Sequence, residues 1–119
     1  DKYFAFVVMY KEIHIGTLEL GNGAWKFSYS DFYKQTYRKK QAGQWTEDLV
    51  QPLFDFPDVD RVYVSPVLWP FFAGRIPGLK QPAVEEILTR EHIDRNDPVA
   101  LLTRFGRKNI ASPFELMPA

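Results

Sequence analysis

Cysteine is absent from the 119 residues, and only two histidines occur. The first absence excludes disulfides, thiol catalysis and cysteine-ligated zinc, and it allows a reducing compartment. A cytoplasmic location is the expectation, which this absence permits without proving. The chain also lacks net charge, with 15 basic residues against 15 acidic ones. No global field is available to draw in nucleic acid or an anionic membrane. No apolar run approaches the roughly 18 residues that a membrane-spanning helix needs, and the sequence shows no signal-peptide pattern.

Catalytic constellations are missing as well. His14 and His92 fall on different elements, whereas a zinc site needs several ligands converging on one point. Glu91, His92 and Asp94 are neighbours in sequence, but adjacent helical positions diverge around the axis, so they read as a solvated helix end. Asp55, Asp58 and Asp60 read as a solvated acidic turn. Gly21-Asn22-Gly23 is too short to cradle a phosphate and has no following helix or lysine. The expectation is a protein that is not an enzyme, with no cofactor and no metal.

Aromatic residues, by contrast, make up 16% of the chain. That is more ring surface than a small core comfortably holds, which favours an interface. The length fits one domain, 1–119, able to bury a core without staples. Residues 3–9, YFAFVVM, predict a strand buried on both faces or nearly so. Ile13–Leu20 predicts a second strand in which Gly16 marks a bulge. Gly21-Asn22-Gly23 predicts a hairpin turn, because Gly and Asn tolerate positive φ. Trp25, Phe27 and Tyr29 then alternate with Lys26 and Ser28. Asp31 caps a short helical turn, and Tyr37–Gly43 reads as a basic solvated loop. Leu49–Phe56 is a further strand candidate, held to an edge by Pro52. Val62–Val64 is a brief extended piece. Pro82 opens a helix with a Val84, Ile87, Leu88 stripe, and Asp97-Pro98 opens another with Leu101, Leu102 and Phe105. The expected fold is α+β, with a small antiparallel sheet from the N-terminal half packed against short helices from the C-terminal half.

The stretch Ser65–Gly78, SPVLWPFFAGRIPG, organises the rest. Ser65-Pro66 predicts a helix start, and Pro70 requires that helix to be short or bent. It cannot bury Trp69, Phe71 and Phe72 on one side. Phe71 or Phe72 is expected in the core, with Trp69 pointing outward. Prolines on either side stiffen the indole before any binding event and so lower its ordering cost.

Taken in order, Val7/Met9, Gly16–Leu18, Asn22-Gly23-Ala24…Phe27…Tyr29, Pro52-Leu53, Phe71-Phe72…Pro77 and Asp97-Pro98…Leu101-Leu102…Gly106-Arg107 resemble the N-terminal subdomain of HipA-type serine/threonine kinase toxins. The likeness covers nearly the whole chain. In that family the ATP loop, catalytic aspartate and metal-binding residues lie beyond this subdomain, so the resemblance implies a subunit without catalysis. A separate short protein of this kind, HipS, occurs in three-component HipBST toxin–antitoxin systems. There it blocks the kinase toxin HipT, and HipB is the DNA-binding member. The chain departs from the family's S-D-A-x-F-N-F-F-D-N-L-L-P at Ser65–Pro77, where it loses Asp and Asn and gains a tryptophan and two prolines. The change is toward a stiffer, more apolar surface.

The resemblance thus implies a bacterial antitoxin that binds and inhibits a HipT-type kinase, in a complex with a HipB-like protein. Trp69, Pro70, Phe71 and Arg75 are the expected docking residues near the kinase cleft, with Val67 and Ser65 beside them. Two alternatives stand. The chain is an excised, purely structural subdomain of a one-piece HipA-type kinase, or it binds nucleic acid through Lys34–Lys40, where aromatic and basic residues interleave.

Overall fold

In the computed structural model, which describes residues 3–44, 49–107 and 112–119, the Asn22-Gly23 turn has φ of 53° and 73°. Positive φ at both central positions matches the right-handed twist of the strands it joins. It links β2 (Ile13–Gly21) to β3 (Ala24–Tyr29) in antiparallel register, with Leu18 opposite Phe27. β1 (Phe4–Tyr10) pairs with the other side of β2. A bulge falls there between Val8 and Met9, opposite Gly16. The glycine is required: a Cβ would sit 2.6 Å from the Ser28 carbonyl oxygen and 2.7 Å from the Phe27 ring. β4 (Tyr63–Ser65) and β5 (Phe114–Pro118) close the order β4-β3-β2-β1-β5. The expected antiparallel α+β architecture is present, with one edge strand supplied by the C-terminus.

Alternation puts Phe6, Val8, Leu18, Trp25, Phe27, Tyr29 and Leu116 on the covered face, all buried. β1 is not buried on both faces. Its other side, with Ala5, Val7 and Met9, is only partly covered. The core also takes up more rings than composition implied: among the described residues seven aromatics are buried, including Tyr33, Phe56 and Phe72.

The described residues form four helices: α1 (Asp31–Gln41), α2 (Pro70–Ala73), α3 (Pro82–Arg90) and α4 (Pro98–Phe105). α1 is longer than a short helical turn, because Tyr37–Gln41 continue it in place of the expected loop. Ser30, not Asp31, is the N-cap, its hydroxyl accepting from the Tyr33 N–H at 3.0 Å. Arg38, Lys39 and Lys40 stand in the last turn, where positive charge complements the helix dipole. α3 and α4 lie where expected. The Asp97 carboxylate accepts from the N–H groups of Val99 and Ala100. Val84, Leu88 and Leu101 form a second, smaller cluster, and Leu102 joins α4 to the main core.

The layer over the sheet is largely irregular. No strand forms over Leu49–Phe56. Leu49, Leu53, Phe56 and Val59 are nevertheless buried, which demands partners for their backbone polar groups. Tyrosines supply them. The Tyr29 hydroxyl accepts from the Leu53 N–H at 2.9 Å and donates to the Phe56 carbonyl at 2.6 Å. The Tyr33 hydroxyl donates to the Val50 carbonyl at 2.7 Å. Side chains from β3 and α1 thus stand in for a sheet ladder. Burial raises both phenols above the usual tyrosine range, Tyr33 to about 12.

Candidate functional site

The Ser65–Gly78 stretch leaves the sheet at the outer edge of β4. Its helix starts at Trp69-Pro70, five residues after Ser65 at most, and not at Ser65-Pro66. Pro66 keeps Ser65 extended as the last residue of β4. The Ser65 hydroxyl accepts from the Val67 N–H at 3.1 Å, closing a tight turn instead of a helix cap. Pro70 takes the first helical position, where its missing N–H costs nothing.

Trp69 precedes α2 without a side-chain cap. The Phe71 N–H at that end donates to the Asp55 carboxylate at 3.1 Å. An aspartate from the irregular layer therefore caps a helix sixteen residues away in sequence. Phe72 is fully buried against Phe27 and Phe56. Phe71 is half-buried, edge-on to Phe72 and Phe114 at 5.1 Å each.

The expected docking residues divide into two groups. Val67 is 70% exposed, and Pro66 and Pro70 are exposed beside it. Trp69 is half-buried, its ring edge-on to Phe56 at 5.0 Å, so it is shared between core and surface and does not simply point outward as expected. Ser65 is half-buried in its turn. Arg75 is turned inward: its Nη2 lies 3.1, 2.9 and 2.9 Å from the carbonyls of Gly106, Arg107 and Phe114. It ties the end of α4 to β5, and burial lowers its pKa. That guanidinium is committed within the fold and does not extend toward a partner.

The sequence reading missed Phe54, which is 97% exposed. It stands at the tip of a turn closed by the Phe56 N–H to the Leu53 carbonyl at 2.8 Å. Within a supposed strand LVQPLFDF it passed for an ordinary alternating residue. The signal available was Phe-Asp-Phe-Pro, a turn-like dipeptide followed by a proline.

Elsewhere the candidate chemistry thins out. No group of three or more His, Asp or Glu residues able to hold a metal occurs among the described residues. Among them, too, no helix is long and apolar enough to cross a membrane. Along α1, Tyr33 is buried and stacks on Tyr29 at 4.8 Å, with Tyr37 parallel to it at 6.3 Å. Arg38 is paired with Asp60. Of the two rings in that basic stretch, Tyr33 is thus taken up by packing, and Tyr37 is half-buried. No family model matches the chain, and no curated protein matches it.

Proposed function

We propose that this protein is a non-catalytic antitoxin subunit that binds a HipT-type serine/threonine kinase and inhibits it, in the cytoplasm of a bacterium and alongside a HipB-like DNA-binding protein. The resemblance carried by the ordered motifs from Val7 to Arg107 supplies the partner. One observation carries the docking surface: an exposed apolar segment, Pro66-Val67, continues into Trp69-Pro70 on a backbone fixed at both ends. The Ser65 turn fixes one end and the Asp55 cap fixes the other. A rigid apolar projection loses little entropy on binding, so more of its contact energy appears as affinity. The Val67–Phe71 segment docks at the kinase cleft and hinders substrate access or closure.

The test uses purified kinase, its phosphorylation rate, and a titration with this protein. Wild-type protein should inhibit to completion at a small molar excess. Trp69→Ala is an imperfect probe, because it also removes a ring from the core and should cost a few kcal/mol of stability. Val67→Asp is cleaner, since that side chain is mostly in water. It should keep the wild-type melting temperature and weaken inhibition by about thirtyfold, the size of a truncated hot spot near 2 kcal/mol. Full inhibition by folded Val67→Asp and Trp69→Ala variants would reject this surface.

A further inference from the structure

Four aromatic residues are exposed among those described: Tyr3, Phe4, Phe32 and Phe54. Single apolar residues on a surface are ordinary and need no explanation. Phe54 differs from the other three in being almost wholly in water on a backbone that belongs to no helix or strand and is nevertheless held. The residues on either side of its turn, Leu53 and Phe56, are both buried. One hydroxyl, that of Tyr29, bonds both of them, at the Leu53 N–H and the Phe56 carbonyl. The turn closes on itself through Phe56 N–H to Leu53 carbonyl. Asp55, the residue after Phe54, is tied to the start of α2. Every backbone neighbour of Phe54 is thus fixed to the core, while its ring touches almost nothing, at 97% exposure.

Such a ring contributes nothing to folding and exposes its full apolar area to water. It is an aromatic anchor ordered in advance, the arrangement that gives interface hot spots their strength. The turn is also joined to the projecting segment, by the Asp55–Phe71 bond and by the Phe56–Trp69 ring contact. The residues that follow it in sequence carry three carboxylates, Asp55, Asp58 and Asp60, before one exposed cation, Arg61, which lies over the Tyr63 ring. Asp58 is exposed and Asp55 half-buried, and neither enters an ion pair among the described residues, while Asp60 is held by Arg38. Acidic neighbours oppose approach to an anionic bilayer and favour a protein pocket with a basic rim.

We propose that Phe54 is the principal anchor of the interface, entering an apolar pocket with a basic rim on the kinase. The inference rests on the kinase reading and adds a residue and a pocket chemistry to it. The test is binding of purified HipT-type kinase to wild-type protein, Phe54→Ala and Phe54→Trp by calorimetry, with melting temperatures in parallel. Phe54→Ala should melt as wild type does and bind at least about thirtyfold more weakly, while Phe54→Trp, which keeps a ring, should recover most of the affinity. Equal binding by wild type and Phe54→Ala overturns the anchor and leaves the kinase reading standing. No binding by wild type removes the kinase reading and the anchor with it. Phe54-dependent sedimentation with phosphatidylglycerol vesicles, without an effect on kinase binding, also overturns the proposal and assigns the ring to a membrane.

Discussion

Removing one oxygen atom, in Tyr29→Phe, tests whether tyrosine hydroxyls hold the irregular layer in place. The ring can stay where it is, stacked on Tyr33 and edge-on to Phe27. What disappears is the partner of two backbone groups at once, the Leu53 N–H and the Phe56 carbonyl. A buried polar group left unpaired costs about 1–3 kcal/mol. Two of them, less the relief of no longer burying a hydroxyl, give a loss of about 2–4 kcal/mol. A domain of this size has roughly 5–15 kcal/mol of stability in all, so the loss is a large fraction of it. Urea denaturation followed by far-UV circular dichroism measures it, with an unchanged m-value as the sign that two-state unfolding persists. Tyr33→Phe is the internal comparison. It breaks a single bond, to Val50, and should cost about half as much. A Tyr29→Phe loss below about 0.5 kcal/mol would refute the reasoning, because it would mean that the Leu53–Phe56 turn needs no external tie. If the tie is real, this variant should also bind the kinase more weakly, since Phe54 would lose its fixed backbone.

Two further outcomes follow from the same geometry. Arg75→Met keeps the aliphatic stem but removes the donor shared by three carbonyls. It should lower stability by about 2–3 kcal/mol in urea denaturation and leave kinase affinity of the folded fraction unchanged. The phenols of Tyr29 and Tyr33 are raised by burial, Tyr33 to about 12, above the value of 10.0 that an unfolded chain shows. The unfolded state therefore releases these protons first, and stability falls as pH rises through the window from 10 to 12, each group adding up to roughly 1.4 kcal/mol per pH unit. A stability curve flat across that window would contradict the burial of both hydroxyls, and Tyr29→Phe should flatten part of it.

What the sequence reveals and what it hides separate along physical lines. The Asn22-Gly23 turn, the Trp25/Phe27/Tyr29 face and the proline-opened helices α3 and α4 depend on residues within one or two turns of each other. Local chemistry therefore specifies them. Residues 49–59 do not work this way. Their order comes from hydroxyls on β3 and α1, twenty or so residues distant, so alternation of apolar residues misled and Phe54 was lost with it. α1 was shortened because its run of charge resembles a loop. The Tyr33–Tyr37 spacing, four residues apart on one side of a helix, carried the correct signal. In the proposed docking segment, Val67 and Pro70 lie outward, but Trp69 is shared with the core through Phe56 and Arg75 is drawn in by carbonyls at the end of α4 and in β5. Both facts depend on contacts that no local pattern contains.

Hydroxyl-radical footprinting of the protein, alone and with a molar excess of the purified kinase, tests the docking surface most directly. Phe54, Val67 and Trp69 should become protected on adding kinase, while Val7 and Met117, on the other face of the sheet, keep their reactivity. Protection confined to Val7 and Met117, or no change at Phe54 and Val67, would contradict the account.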